Sequence, residues 1–302
     1  MPRVSIGMPV YNGERYVGEA VEGLLAQTFT DFELVIVDNA STDRTAEICR
    51  AFAARDPRVR YHRNPANIGG GPNFNRAFDL ANRAPLFKWA AHDDRHAPDF
   101  LAELVAVLDR RPEVIVAGCD IEHIDGDGKV FAQHDHELPA VGDERPSVRF
   151  RNLIVVRHFC MDMFGVIRRD ELAKTHRIAS YVGSDRPMLA QLGLQGRFHR
   201  VPRVLFQMRD HDGRSIKQMP EHMRAQWFDP KLAGKISLPE LRYLVEYGRS
   251  ILRVPMPQSE RAACFQALAE WLVVNRRRIN GDLKFLAGYL RHKIKPSATA
   301  SA

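Results

Sequence analysis

Hydrophobic and polar residues alternate along the first 120 residues in a pattern that predicts strands and helices in turn. Short apolar runs typical of buried parallel strands occur at residues 4–8, 33–37, 59–61, 86–90 and 114–118. Between them, apolar residues recur at helical spacing, as at Val17, Ala20, Val21, Leu24 and Leu25. This alternation predicts an α/β fold with a mostly parallel sheet flanked by helices on both faces.

The pattern changes after residue 120. Between Ile121 and Pro146 the periodicity is lost and Gly, Asp, His and Pro accumulate, which predicts a long loop or a small irregular insertion. Strand, helix and strand patterns resume at residues 164–167, 187–194 and 201–208, and beyond about Gln218 the apolar spacing is helical. We therefore expect a domain over residues 1–218, with halves 1–120 and 121–218, and a helical C-terminal appendage over 219–302.

Composition places the chain among globular proteins. It has 302 residues, 45% of them hydrophobic and 27% charged. No apolar run approaches the roughly 18 residues of a membrane span, and the first residues lack the apolar length of a signal peptide. The four cysteines form no C-x-x-C pair, which argues against both a disulfide framework and a thiolate zinc site. We expect a cytoplasmic protein with reduced cysteines.

Positive charge is concentrated in the C-terminal region. Residues 239–302 contain 11 Lys or Arg against 5 Asp or Glu, and so carry +6 of the net charge of +7. Such a region suits an anionic membrane surface, and a solvated helix face explains the charge equally well. Peripheral membrane contact is favoured by one apolar helical face beside basic residues, namely Leu283, Leu286, Ala287 and Leu290 beside Lys284, Arg291, Lys293 and Lys295. Core packing or self-association would produce the same pattern.

Nucleic-acid binding is a further possibility that the basic run at residues 276–278 raises. Interleaved aromatic residues and a known reader motif are missing from the sequence, so we expect no nucleic-acid partner.

Acidic and polar side chains follow three of the predicted strands. In open α/β sheets, ligands bind beyond the carboxyl ends of the strands, near the point where strand order reverses. The residues at these positions are Pro9, Tyr11, Asn12 and Glu14 after the first strand, Asp38 and Asn39 after the second, and Asp93 and Asp94 after the fourth. Adjacent carboxylates repel unless a cation compensates them, so Asp93 and Asp94 indicate a divalent metal such as Mg²⁺ or Mn²⁺.

Two other patterns near these strand ends have competing interpretations. His92 and His96 have the spacing of a helical zinc pair, but the acids between them and Pro98 indicate a loop. Residues 67–71 could place backbone N–H groups near a phosphate. They do not form G-x-G-x-x-G, which argues against a nicotinamide cofactor.

Four of these segments, in this order, resemble family 2 glycosyltransferases of the GT-A fold. The segments are residues 4–14, 34–43, 67–69 and 92–94, the last followed by Pro98-Asp99, and the resemblance covers about the first 120 residues. It implies a Rossmann-like sheet and transfer from a nucleoside-diphosphate sugar with inversion at the anomeric carbon. It also implies a carbohydrate or lipid-linked acceptor, as in the synthesis of bacterial surface polysaccharide or glycolipid.

The resemblance also implies residue roles. Donor binding is expected at Pro9, Tyr11, Asn12, Glu14, Asp38, Asn39, Asn67, Gly69 and Asp93. Asp94 is the expected ligand of Mg²⁺ or Mn²⁺, together with His211 in a segment that resembles the family's R-x-H-x-x-S. Here the serine, Ser215, stands one place later, and Ala91 and His92 stand where many members carry another acid. Asp185, in Gly183-Ser184-Asp185, is the expected catalytic base, with helix capping as the alternative.

A nucleotidyltransferase would combine the same kind of sheet with an acidic metal site. It should carry a glycine-rich phosphate loop after the first strand. This chain has Pro9-Val10-Tyr11-Asn12 there, which argues against that activity.

Overall fold

A computed structural model describes residues 1–134, 138–213, 228–232 and 238–294. Its strands form one twisted sheet in the order β3-β2-β1-β4-β8-β6-β9-β5, with β7 added to β6. They are β1 (Val4–Val10), β2 (Phe32–Asp38), β3 (Val59–Arg63), β4 (Leu86–Trp89), β5 (Arg95–His96), β6 (Val114–Ile124), β7 (Val130–His134), β8 (Val166–Arg168) and β9 (Arg197–Arg209).

The directions of the strands determine which strand ends lie at the same edge of the sheet. β1 is parallel to both β2 and β4, and β6 is parallel to β9. β8 is antiparallel to both β4 and β6, so these two flanking strands run the same way. The carboxyl ends of β1, β2, β4, β6 and β9 therefore lie along one edge of the sheet.

Helices cover both faces of the sheet. They are α1 (Val17–Leu25), α2 (Thr45–Arg55), α3 (Gly70–Leu80), α4 (Phe100–Arg110), α5 (Pro146–Val155), α6 (Arg169–Ala173), α7 (Asp185–Gln195), α8 (Pro239–Arg253), α9 (Gln258–Val274) and α10 (Arg276–Ile294). Short 3₁₀ turns occur at Met161–Phe164 and Pro230–Leu232. None of the helices in the described ranges is long and apolar enough to cross a membrane.

The core has two parts, one on each face of the sheet. Leu34 and Ile36 of β2 point into the part covered by α1, α2 and α4, and Val35 and Val37 point into the other. This is the two-residue period of a strand buried on both faces.

The C-terminal helices pack into the second part of the core. Tyr247 of α8 and Trp271 of α9 are buried there with Phe150 of α5. The predicted boundary near Gln218 lies outside the described residues. Because α8 and α9 share a core with α5 and α7, they support the half of the fold that carries Asp185.

The prediction of an irregular segment over residues 121–146 was wrong in its first part. β6 continues through Ile124 and forms a hairpin with β7. Asp125 Oδ1 accepts hydrogen bonds from the N–H groups of Asp127 and Lys129, and Gly128 adopts the left-handed conformation (φ 89°) that the turn requires. Pairing with β9, far along the chain, extends β6 beyond its apolar stretch.

An aspartate side chain holds the start of α2. Ser41 and Thr42 lie upstream of the helix, and Asp43 Oδ1 accepts the N–H of Thr45, the first residue of α2, at 3.0 Å.

Candidate active site

The loop after β1 is hydrogen-bonded to the loop after β2. Asn12 N–H donates to Ser41 Oγ at 2.9 Å, and Asn12 Oδ1 accepts the N–H of Thr42 at 2.9 Å. Glu14 Oε2 accepts the N–H of Arg44 at 3.0 Å. Pro9 is buried within β1, whereas Tyr11 is 38% exposed on top of this braced loop. Tyr11 is therefore the predicted donor-binding side chain that presents most apolar surface to a ligand.

Asp38 ends β2 and is fully buried. Its Oδ1 accepts the N–H of Ser41 at 2.8 Å, and its Oδ2 accepts Tyr61 Oη at 2.6 Å and Arg63 Nη1 at 2.7 Å. Burial and the bond to Asp38 raise the pKa of Tyr61 to about 12. Both carboxylate oxygens thus hold neighbouring segments in place, and the predicted contact of Asp38 with a nucleotide base stays a prediction.

Four asparagines organise the segment between β3 and α3. Asn39 Nδ2 donates to Asn67 Oδ1 at 2.8 Å, while Asn39 Oδ1 accepts Asn64 Nδ2 at 2.9 Å. Asn64 in turn donates to Asn73 Oδ1 at 2.9 Å. Sequence reasoning singled out Asn39 and Asn67 but missed Asn64 and Asn73, because a buried asparagine carries no periodic signal that separates it from a loop residue.

The same network occupies two of the backbone N–H groups that the sequence places near a possible phosphate site. Ile68 N–H donates to Asn39 Oδ1 and Gly69 N–H donates to Asn67 Oδ1, both at 2.9 Å. Gly69 has φ 90°, and a Cβ there would lie 2.6 Å from the carbonyl oxygen of Phe228. The segment is therefore held from within the chain and packed against residues 228–230, and donor binding by Asn67 and Gly69 stays a prediction.

The acidic pair after β4 meets the end of β9. His211 Nε2 lies 2.9 Å from Asp93 Oδ2, and Asp94 Oδ1 accepts the N–H of Arg209 at 2.8 Å. The side chains of His211 and Asp93 are 12% and 14% exposed. The structure thus brings together three predicted site residues from two distant parts of the chain, and His211 contacts Asp93 Oδ2.

Arg209 braces this acidic pair from behind. Its guanidinium is buried, donates to the carbonyl oxygens of Asp93 (2.8 Å) and Gly126 (3.1 Å), and pairs with Glu19 Oε2 at 2.7 Å. It also lies 4.6 Å from the ring centroid of Tyr16, whose ring packs against His211 at 4.7 Å. Sequence reasoning missed Glu19 and Tyr16, since both fit the pattern of an ordinary amphipathic helix.

The Asp93–His211 pair suits a divalent cation. The 2.9 Å between Asp93 Oδ2 and His211 Nε2 places an oxygen and a nitrogen ligand side by side at the sheet edge, where they would hold Mg²⁺ or Mn²⁺. Carboxylate oxygens suit Mg²⁺ and Mn²⁺, and histidine is the commonest metal-binding side chain. Within the described ranges no three His, Cys, Asp or Glu side chains form a metal-binding group. Ions such as Mg²⁺ usually keep several water molecules and bind substrate phosphates in addition to one or two carboxylates.

Asp185 is the first residue of α7 and follows Ser184 at the N-cap. Its Oδ1 accepts the N–H of Arg186 at 3.1 Å, and the Cys160 thiol donates to its carboxylate. Burial raises the pKa of Asp185 above its usual range, and the positive charge of Arg186 partly opposes the shift. A carboxylate with a raised pKa is better matched to proton abstraction near neutral pH.

The segment before Asp185 depends on a glycine. Gly183 has φ 78°, and a Cβ there would lie 1.9 Å from the hydroxyl oxygen of Tyr243 in α8. Asp185 therefore occupies a position fixed by the C-terminal helices. Its hydrogen bonds connect it to Arg186 and Cys160, on the half of the fold that carries α7.

Comparison with known proteins now decides the family. The family model described as "Glycosyl transferase family 2" matches residues 5–173, more than half of the chain. The chain belongs to glycosyl transferase family 2. This confirms the family expected from the sequence motifs and favours glycosyl transfer over nucleotidyl transfer.

Several curated bacterial proteins are similar to the first half of the chain. The glycosyltransferase GlyG of Streptococcus pneumoniae is 28% identical over 128 residues, which are 42% of this chain and 42% of that protein. An uncharacterized glycosyltransferase of Haemophilus influenzae is 31% identical over 126 residues, 40% of this chain and 50% of that protein. The matches to such relatives span between 14% and 50% of the relatives' own length.

Solved structures match nearly the whole chain at low identity. Residues 1–349 of S. aureus TarS in complex with UDP align with TM-score 0.58 and 17% identity, covering 99% of this chain and 94% of that one. The Pyrobaculum calidifontis mannosyltransferase PcManGT in complex with GDP-Man and Mn²⁺ aligns with TM-score 0.55 and 18% identity, covering 100% and 76%. These likenesses confirm the expected GT-A fold.

Proposed function

We propose that the chain is an inverting glycosyltransferase that moves a sugar from a nucleoside-diphosphate sugar to a hydroxyl group of an acceptor. The observation that carries the proposal is the contact between Asp93 and His211 at the edge where β1, β2, β4 and β9 end. A carboxylate and an imidazole in contact at a sheet edge are suited to a divalent cation that a diphosphate also contacts.

The donor's nucleoside fits the braced loops after β1 and β2. Tyr11 supplies an exposed ring for stacking, and Asn12 and Glu14 hold its loop against residues 41–44. TarS has been solved with UDP-GlcNAc and PcManGT with GDP-Man, which supports a nucleotide sugar here without deciding between uracil and guanine.

Asp93 and His211 would hold the divalent ion, with Asp94 next to them. Bound there, such an ion neutralises the negative charge that develops on the leaving diphosphate. The chain holds Asp93 and the neighbouring Asp94 in place through Arg209, whose guanidinium donates to the Asp93 carbonyl oxygen and whose N–H donates to Asp94 Oδ1.

Asp185 is proposed as the general base. Its carboxylate takes the proton of the acceptor hydroxyl while that oxygen attacks the anomeric carbon from the side opposite the diphosphate. The bond between the anomeric carbon and the diphosphate oxygen breaks in the same step, so configuration inverts. General-base catalysis of this kind contributes about 10²–10⁴-fold.

The acceptor is proposed to be a carbohydrate or a lipid-linked saccharide of a bacterial surface polymer, reached from the cytoplasmic face of a membrane. Leu283, Phe285 and Leu290 of α10 are exposed, and Lys284 and Arg291 on the same helix are exposed as well. Apolar and basic side chains together favour an anionic membrane surface. Of the two further lysines of that prediction, the side chain of Lys293 and all of Lys295 lie outside the described residues.

A thermal-shift panel tests the donor and metal parts of the proposal. UDP, GDP and dTDP are each added with and without Mn²⁺, since a ligand that binds the folded state raises its apparent stability. One nucleotide should raise the melting temperature more with Mn²⁺ than without it. The extra shift should disappear in Asp93→Asn and persist in Asp127→Asn, a surface control whose side chain is 92% exposed.

The catalytic part is tested with the donor identified in this way. Asp185→Asn should bind the nucleotide as the parent does and lose about 10²–10⁴-fold in transfer rate. Normal turnover by this variant would remove Asp185 from the base role. A thermal-shift panel without any response to the three nucleotides would overturn the donor proposal itself.

A further inference from the structure

A cavity lies on the half of the fold that carries Asp185, and none of the residues proposed to bind the donor lines it. It is enclosed by β6, β9 and the segment between α5 and β8. Its wall includes Gly118, His123, His158, Phe159, Cys160 and Asp162. We name this cavity, together with the neighbouring Phe131, the aromatic cleft.

Two exposed phenylalanines flank a histidine at the opening of the aromatic cleft. Phe131 and Phe159 are each 56% exposed, and their ring centroids lie 6.0 and 6.3 Å from that of the buried His123. Large apolar side chains grouped at a concave surface mark ligand-binding sites more often than isolated exposed ones do. The two exposed phenylalanine rings offer apolar surface against which the C–H face of a sugar ring can pack.

Polar groups in the wall favour a carbohydrate over a hydrocarbon chain. Asp162 is a wall residue, and Gly118 faces it so closely that a Cβ would lie 3.1 Å from Asp162 Oδ1. A sugar ring can direct a hydroxyl group toward this carboxylate while its apolar face covers the aromatic rings, whereas a hydrocarbon chain has no hydrogen-bond donor to offer.

The turn that closes the cleft also holds Asp185. Cys160, in a left-handed conformation (φ 59°), donates its thiol hydrogen to the Asp185 carboxylate. His158, two residues earlier, accepts Arg186 Nη2 on its carbonyl oxygen at 2.6 Å. Both residues line the cleft. A saccharide seated in the cleft would therefore extend over this turn toward the proposed base.

We propose that the aromatic cleft binds a sugar ring of the acceptor, next to the ring whose hydroxyl group is deprotonated by Asp185. The proposal rests on the proposed glycosyl transfer, and it specifies the acceptor as an oligosaccharide, free or lipid-linked, rather than a single small alcohol.

The test compares Phe159→Ala and Phe131→Ala with Phe265→Ala, a matched control on α9 whose ring is 42% exposed. Because all three rings are largely exposed, the variants should fold like the parent, which their melting temperatures check. Steady-state kinetics with an oligosaccharide acceptor should show a KM for the acceptor raised about five- to tenfold by each cleft variant. The KM for the donor should not change, and the control should match the parent.

A binding measurement keeps the cleft testable independently of turnover. An array of mono- and oligosaccharides of glucose, galactose, mannose, rhamnose and N-acetylhexosamines is probed with the parent and the three variants. If the parent and the control retain an oligosaccharide and Phe159→Ala does not, saccharide binding in the aromatic cleft is supported, even where the donor sugar has been assigned wrongly. Equal retention by all four proteins, retention that excess UDP or GDP abolishes, or no retention by the parent would overturn the inference.

Discussion

Replacing Lys88 tests how much its burial in the sheet costs in stability. The side chain is fully buried in β4, donates to the carbonyl oxygen of Phe164, and places Nζ 4.5 Å from the ring centroid of Phe100. Burial lowers the pKa of Lys88 to about 7, although the thiol of Cys119 and the carboxylate of Asp94 oppose the shift. We predict that Lys88→Met stabilises the protein and that the gain decreases as pH rises.

The magnitude follows from proton linkage. An ordinary lysine pKa of 10.5 in the unfolded chain and about 7 in the folded one mean that the unfolded chain binds more protons between these pH values. Stability of the parent therefore rises with pH across that window. The cost of Lys88 is about 5 kcal/mol at pH 6 and about 2 kcal/mol at pH 9. Lost contacts of Nζ reduce the net gain from methionine, but the gain should still shrink by about 3 kcal/mol from pH 6 to pH 9.

The assay is urea unfolding of the parent and Lys88→Met at pH 6, 7, 8 and 9, followed by circular dichroism. Taking the difference at each pH cancels the titration of all groups that the two proteins share. Lys129→Met serves as control, because Lys129 is exposed and its replacement should leave the pH profile of stability unchanged. A difference between parent and Lys88→Met that stays constant within about 1 kcal/mol from pH 6 to 9 would refute the argument.

Three further predictions concern the site and the C-terminal region. Arg209→Lys keeps the positive charge but loses the guanidinium hydrogen bonds that join Asp93, Gly126 and Glu19. The free energy of unfolding should therefore fall by about 2–4 kcal/mol, and Mn²⁺-dependent nucleotide binding should weaken. An unchanged unfolding free energy in urea and an unchanged nucleotide affinity in calorimetry would contradict the bracing role of Arg209. In Gly183→Ala the added Cβ would lie 1.9 Å from the hydroxyl oxygen of Tyr243, so kcat should fall, whereas Gly281→Ala adds its Cβ in open space and should leave kcat unchanged. Equal kcat values in the two variants would show that the turn before Asp185 tolerates a side chain. Phe285→Ser combined with Leu290→Ser should reduce co-sedimentation with vesicles of phosphatidylserine and phosphatidylcholine, and unchanged sedimentation would argue against the membrane surface.

The sheet and its flanking helices were predictable because burial on both faces leaves a local signature. β2 has four successive apolar residues at 34–37, and α1 repeats its apolar residues at helical spacing, so both are recognised within a few residues. The extension of β6 and its hairpin with β7 were missed because their stability comes from pairing with β9, about 80 residues later in the chain. The local pattern of apolar residues does not show that such a distant strand will pair with β6.

For the candidate site, residue types were predictable and partners were not. Acidic and amide side chains at strand ends pointed to the edge of the sheet, yet both oxygens of Asp38 accept bonds from within the chain. The side-chain amide of Asn39 likewise bonds to the segment after β3. Which of two adjacent carboxylates meets His211 depends on backbone geometry that a motif does not encode.

That geometry is set by a strand too short to leave a pattern. β5 is only two residues long and follows Asp94 directly, and it pairs Arg95 with Gln207 of β9. This pairing fixes the position of β9 relative to the acidic pair. As a result, the N–H of Arg209 lies within hydrogen-bond distance of Asp94, and His211 lies within hydrogen-bond distance of Asp93.

The register of β9 also depends on an irregularity further back. Cys119 of β6 faces Val201, but the next residue, Asp120, faces Val204, so β9 advances by three residues where β6 advances by one. Pro202 lies in this stretch and has no N–H to donate to a ladder, which accounts for the break. A shift of one residue in β9 would reverse which face each side chain occupies. His211 would then no longer lie at Asp93, so the proposed metal site depends on backbone features remote from its ligands.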